Sequence, residues 1–263
     1  MVYEPPLHRA VIEGNVSMVR SLRQNPQNER VRNHLGFTPP ELAFMLGREQ
    51  IVELLQPSPL RSIRVRLTTG EHILISESDF QTRFGVKYCS HLLFRDYAFL
   101  RRVIAECPLL LKLGPRAEEA RNKGLYFSRH LFSGVVGNVF IAWVSREIGY
   151  GLFAASPLAK GSYIGEFVGL VRRLYRLHPD PNPYCFHYPT RFCSLRYMVI
   201  DALQTGNETR FINHGNRPNL SPLWVVNRNL LHLLFFANTD IAEGSELTYD
   251  YGPDFWRNRT PIF

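Results

Sequence analysis

The segment RFINHGNRPN, residues 210–219, obeys neither the 3.6-residue period of a helix nor the two-residue alternation of a strand. It sets Arg210 and Phe211 ahead of an adjacent Asn213–His214 pair and closes on Pro218–Asn219. Residues 246–252, ELTYDYG, form a second dense patch of polar and aromatic side chains. An Asn-His pair inside so broken a segment, about thirty residues before a second dense patch, is the feature of this chain that regular secondary structure does not explain.

The chain has 263 residues, enough for one large domain or two smaller ones. At 45% hydrophobic and 21% charged it is composed as a globular protein. No uninterrupted apolar run of membrane-spanning length occurs, so no membrane partner is expected. The start, MVYEPPLHRA, lacks the basic-then-apolar layout of a secretory signal. Cysteines 89, 107, 185 and 193 form no CxxC pair, which argues against a zinc site or disulfide framework and fits reduced thiols in an intracellular protein. The net charge of +8 favours acidic partners, nucleic acid first among them. The arginines are nevertheless scattered, with no run of five basic residues.

The N-terminal part repeats. EPPLHRAVIEGNVSMVRSL and FTPPELAFMLGREQIVELL align without gaps at an offset of 33 residues, matching Pro6 with Pro39, Ala10 with Ala43, Gly14 with Gly47 and Leu22 with Leu55. This period and the P-L-H-x-A start resemble ankyrin repeats, each a turn and two short antiparallel helices. Small alanines let paired helices approach, and the glycines suit the tight turn between them. Two such units bury little surface alone, so the pair is expected to lean on the next segment.

QPSPL, residues 56–60, reads as a boundary. Beyond it, IRVRL and HILIS flank TTGE as a hairpin. Ser78 with Gln81 is a candidate capping box. Leu93, Tyr97, Leu100, Ile104 and Cys107 predict a helix closed by Pro108, and PRAEEARNKG a short polar helix stopped by glycine. Residues 58–137 show no chemistry and read as a connector. From residue 138 short apolar runs alternate with Gly, Pro, Asn and Asp clusters, an all-β signature of several small sheets. The expected fold is α+β: helical repeats over 1–57, a connector over 58–137, a mainly-β region over 138–252 and a closing tail over 253–263.

Within the β region stand Gly149-Tyr150-Gly151, then the Arg-Phe-x-Asn-His segment ending in Pro-Asn, then Glu-Leu-x-Tyr-Asp-Tyr-Gly. Together and in this order they resemble the SET domain of protein lysine methyltransferases over roughly residues 138–256. The resemblance implies a pseudoknot that threads the Asn-His segment beside the last strand. It implies S-adenosylmethionine as cofactor, held by Asn213, His214 and the backbone of Gly149, Tyr150 and Gly151, with Arg210 and Phe211 also among the cofactor-binding residues and Arg210 supporting the segment by bonding its carbonyls. It makes Tyr251 the active-site tyrosine and Tyr184, in NPYCFHY, a second one. Tyr249 stands where the family has Phe or Tyr, a choice that favours mono- or dimethylation. Phe255 or Trp256 would cover the cofactor or lysine stem where relatives carry a cysteine-rich zinc tail, so no metal is implied. Gly215-Asn216 replaces the frequent Ser-Cys, and Phe167 a frequent Tyr.

The implied chemistry needs a neutral lysine, whose ordinary pKa is about 10.4. A nearby sulfonium and an apolar channel both disfavour the cation, so no dedicated base is required and positioning carries much of the acceleration. Histone tails are the implied substrate class, with nucleosomal DNA a partner for the basic surface and the repeats a further protein contact. Action on histones implies the nucleus, the chain's own or a host's. Competing readings are an inactive SET and ankyrin scaffold, or a basic nucleic-acid-binding protein.

Overall fold

The structure, a computed structural model, describes residues 3–55, 61–106, 115–175, 182–189 and 196–256. The boundary at 56–60, the Cys107–Pro108 helix stop, Cys193 and the tail beyond 256 lie outside the described residues.

The repeat becomes two helical hairpins. Pro6–Glu13 (α1) and Val16–Leu22 (α2) form the first; a single turn, Gln27–Arg30 (α3), leads to Pro39–Met45 (α4) and Glu49–Leu55 (α5). Proline opens both leading helices, where its missing N–H costs nothing. Gly14 at φ 71° and Gly47 at φ 60° make the left-handed turns between the paired helices. Ala10 and Ala43 are buried at the contacts. The hairpins do not stand alone. One continuous core cluster runs from Leu7 and Val11 through Leu100 and Ile141 to Phe235 and Leu247. Phe44 stacks on His91 with ring centroids 4.3 Å apart, and Glu41 is ion-paired with Arg228.

The middle region supplies Ile63–Arg66 (β1), His72–Ile75 (β2), Glu77–Phe84 (α6), Lys87–Tyr88 (β3), Leu93–Phe94 (β4), Tyr97–Glu106 (α7), Pro115–Tyr126 (α8) and Ser128–Ser133 (α9). β1 and β2 pair as the expected antiparallel hairpin. Three local expectations differ. The capping box is Ser76 with Asp79 rather than Ser78 with Gln81. Leu93 lies in a strand, and the helix after it begins at Tyr97, where Asp96 Oδ1 accepts from the Phe99 N–H at 2.7 Å; the cap outcompetes the apolar spacing. Gly124 does not stop its helix. It is buried where a Cβ would lie 2.1 Å from the Val226 carbonyl oxygen, so it lets α8 pack against backbone.

The last region is built of Val139–Ser145 (β5), Gly149–Ala154 (β6), Tyr163–Glu166 (β7), Leu170–Tyr175 (β8), Cys185–Tyr188 (β9), Arg196–Asp201 (β10), Thr205–Gly206 (β11), Asn213–His214 (β12), Leu220–Asn227 (β13), Leu230–Ala237 (β14), Thr248–Tyr249 (β15) and Pro253–Trp256 (α10). Its sheets are small, in the orders β2-β1-β5-β6, β4-β8-β10-β9 and β13-β14-β7, with β11-β3 and β12-β15 as pairs. The connector therefore lends strands to three of these sheets. No helix among the described residues is long and apolar enough to cross a membrane.

Candidate active site

The site is assembled on the shortest pair. β12 lies parallel to β15, with Asn213 opposite Thr248 and His214 opposite Tyr249. Two residues cannot hold a ladder, so side chains brace it. Asn219 Nδ2 donates to the Glu246 carbonyl at 2.8 Å, and Asn219 Oδ1 accepts from the Thr248 N–H at 2.9 Å. The residue that read as a mere stop in the sequence is a clamp. Gly215 is required beside it: a Cβ there would meet Thr248 Oγ1 at 2.5 Å. This accounts for the absence of serine at that position.

Gly149 and Gly151 begin the neighbouring strand. Gly149 sits at φ 83°, next to a register shift between Trp143 and Ser145. Gly151 lies so close to the β12–β15 pair that a Cβ would be 2.6 Å from Glu246 Oε1 and 3.2 Å from Asn213 Nδ2. Asn213 Nδ2 donates to the Tyr150 carbonyl at 3.2 Å and to Glu246 Oε1 at 2.8 Å, tying the glycine strand to both motif segments. Both contacts are acceptors, which fixes the amide's orientation. Glu246, not singled out in the sequence, thus belongs to this side of the site.

On the other side stand the aromatic residues. The Tyr251 hydroxyl donates to the Ile212 carbonyl at 2.9 Å, and its backbone N–H donates to His214 Nδ1 at 3.2 Å. His214 Nδ1 is therefore an acceptor. Tyr251 lies 4.7 Å from Tyr249 and 4.6 Å from Phe255 between ring centroids, and His214 lies 5.0 Å from Trp256. Tyr249 also faces Phe235 at 5.0 Å and Phe186 at 5.9 Å. Burial raises both phenols well above their ordinary value, with the nearby carboxylates, Glu246 for Tyr251 and Asp250 for Tyr249, adding to the effect. Both are neutral hydrogen-bonding groups at any working pH.

Arg210 and Phe211 make contacts with other parts of the chain. Arg210 does not bond the carbonyls of its own segment. Its Nε donates to the Ala202 carbonyl at 2.9 Å, and its guanidinium lies 4.1 Å from the centre of the Tyr184 ring. Burial lowers its pKa. Phe211 is buried against Phe84 at 5.0 Å and Phe80 at 6.0 Å, both on α6. Phe84 in turn meets Tyr150 edge-on at 5.0 Å. The connector therefore packs directly behind the glycine turn, a role its plain amphipathic sequence did not signal.

Residues 149–252 match the family model of the SET domain. Histone-lysine N-methyltransferase ash1 of Drosophila melanogaster is 34% identical over 146 residues, covering 52% of this chain and 6% of that protein. Histone-lysine N-methyltransferase Set8 of the same organism is 33% identical over 111 residues, covering 40% of this chain and 16% of that protein. The crystal structure of KRYPTONITE in complex with mCHH DNA, an H3(1-15) peptide and SAH shares 32% identity and covers 44% of this chain and 23% of that one, with a TM-score of only 0.37. The chain thus spans only a small part of the length of these relatives. Over residues 149–252, the small sheets and the paired motif segments are a SET fold.

Proposed function

We propose that this chain is a protein-lysine methyltransferase that uses S-adenosylmethionine, with histone the substrate class and mono- or dimethylation the outcome. The observation that carries the reading is the β12–β15 pair: it sets His214 opposite Tyr249 and in hydrogen-bond contact with Tyr251, while Asn213 is tied to the glycine strand at Tyr150. The residues present fit the cofactor. Gly149, with open space where a Cβ would stand, leaves the strand start open to close approach, the Asn213 side chain holds the Tyr150 carbonyl beside it, and Trp256 meets the imidazole edge-on. When bound, the cofactor supplies a methyl group on a positively charged sulfur.

The chain's own residues do the rest. Tyr251, neutral and anchored on the Ile212 carbonyl, holds its hydroxyl oxygen where an incoming amine or a methyl C–H can be accepted. Tyr249, Phe235 and Phe186 wall the approach and exclude water, which disfavours an ammonium and lowers the lysine pKa. Tyr184 closes the same side, with Arg210 stacked on it. Arg210 and Phe211 act as supports of the motif rather than as cofactor contacts. A fixed cation on the tyrosine side also opposes a second cation nearby.

The domain reading belongs to the same proposal: ankyrin-like units over 1–57, a connector over 58–137, the SET region over 138–252 and a closing tail from 253, in which Phe255 and Trp256 cover the site. The paired hairpins at a 33-residue offset support the ankyrin reading. The names of the relatives support histone. A nucleosomal DNA contact through the basic surface, protein contact through the repeats and action in a nucleus follow from that substrate. The test is transfer of tritiated methyl from S-adenosylmethionine to core histones, nucleosomes and lysate, with Tyr251→Phe alongside. The wild type labels a histone and the variant labels it at least tenfold less. No labelling of any protein would leave the inactive-scaffold reading, and equal labelling would remove Tyr251 from the chemistry.

A further inference from the structure

Away from this site, a cleft of about 490 Å³ opens where the second helical hairpin meets α9 and the β13–β14 turn. Its volume lies in the range of sites that take small ligands or short peptide segments. Four guanidinium groups from separate parts of the fold line it: Arg30 at the end of α3, Arg32 just beyond, Arg129 on α9 and Arg228 in the turn. Two carboxylates share the wall, and both are already engaged. Glu29 pairs with Arg23 at 3.7 Å. Glu41 accepts from the Thr38 N–H at 2.7 Å and hydroxyl at 2.9 Å and is ion-paired with Arg228. Arg32 has its own anchor, donating to the Gly36 carbonyl at 2.7 Å.

Arg30 and Arg129 have no such assignment. Among the described residues neither makes a hydrogen bond or ion pair, and both are exposed, one on the repeat side of the cleft and one on α9. Arg228 is placed by its turn and by its ion pair with Glu41. It occupies a left-handed backbone position at φ 49°, followed by Asn229 at φ 60°, as a two-residue hairpin turn demands. Burial and the neighbouring Arg32 lower its pKa to about 10, so it remains a cation at neutral pH. The lining also has an apolar part, formed by Pro40 and Phe132.

We propose that this cleft binds a phosphorylated serine or threonine within a protein segment, the phosphate between Arg30 and Arg129 and an adjacent apolar side chain on Pro40 and Phe132. Guanidinium groups from separate walls suit a phosphoryl group, which offers three acceptor oxygens and nearly two negative charges. The arrangement of the cations favours a peptide over a duplex. A nucleic-acid backbone needs a track of cations along a surface it can lie on, whereas these four come from α3, the loop after it, α9 and the β13–β14 turn and meet at one cleft. The binding is independent of methyl transfer, and its test needs none.

The test uses the full chain and fluorescence anisotropy with three probes: a degenerate phosphoserine and phosphothreonine peptide pool, its unphosphorylated twin and a short DNA duplex. The phosphorylated pool binds at least tenfold tighter than its twin, and inorganic phosphate competes. The double variant Arg30→Gln/Arg129→Gln, whose side chains are exposed, keeps the wild-type melting temperature and loses at least tenfold in affinity for the phosphorylated pool alone. Equal binding of the two pools, or phosphopeptide binding unchanged in the double variant, overturns the proposal. So does a loss confined to the duplex.

Discussion

Replacing Asn213 by aspartate changes one atom and inverts the logic of the junction it makes. The native amide nitrogen donates to Glu246 Oε1 at 2.8 Å and to the Tyr150 carbonyl at 3.2 Å. Aspartate offers only acceptors, so both bonds go, and two carboxylates face each other across a hydrogen-bond distance. Loss of a hydrogen bond to a charged group removes about 1.5–3 kcal/mol. Because both side chains are only half-buried, the added repulsion is screened and adds about 1 kcal/mol. The net cost is roughly 3 kcal/mol. Urea unfolding at pH 7 measures it. The partner change Glu246→Gln supplies a donor to the new carboxylate and recovers about 2 kcal/mol, while the bond to the Tyr150 carbonyl stays lost. In Asn213→Asp alone each carboxyl is raised by its neighbour, so the folded state holds a proton that the unfolded chain has lost. The deficit therefore shrinks as pH falls toward the ordinary carboxylate range and is complete above the raised value. A variant as stable as wild type, or one that Glu246→Gln fails to rescue, would refute the idea that this amide locks the glycine strand to the motif pair.

Other expectations follow from single features. Tyr188 is fully buried, its hydroxyl donating to the Leu231 carbonyl at 3.0 Å and accepting from the Leu231 N–H at 3.1 Å. Tyr188→Phe leaves both backbone groups unpaired and lowers unfolding free energy by about 2 kcal/mol, measured by denaturant titration. His91 is buried, with Nε2 donating to the Phe132 carbonyl and Nδ1 bonded to Ser90 Oγ, and burial pushes its pKa down to about 4. The unfolded chain takes up this proton at a higher pH than the folded one. Stability is therefore complete above about pH 6.5 and lost as pH falls from there toward 4, by about 3 kcal/mol; His91→Asn flattens that part of the pH–stability curve. Tyr249→Phe removes a hydroxyl from the tyrosine-lined approach and shifts products toward trimethyl-lysine, read by mass spectrometry of the labelled histone. Unchanged product distribution would detach Tyr249 from methyl counting.

Much of this protein follows from local chemistry alone. The 33-residue repeat places two proline-started hairpins with left-handed glycines, because turn geometry is a property of a few adjacent residues. Short apolar runs between breakers mark the strands, and three motifs mark where the candidate site lies. What local sequence could not disclose is who braces whom. Asn219 clamps β15, Glu246 orients Asn213, Gly215 makes room for Thr248, and Arg210 stacks on Tyr184 rather than bonding its own segment. Gly124 is a contact point with a distant strand and no helix stop. Each of these depends on a partner many positions away. The reason is physical: periodicity and caps act over one or two turns of chain, whereas irregular backbone is stabilised only by groups that folding brings beside it.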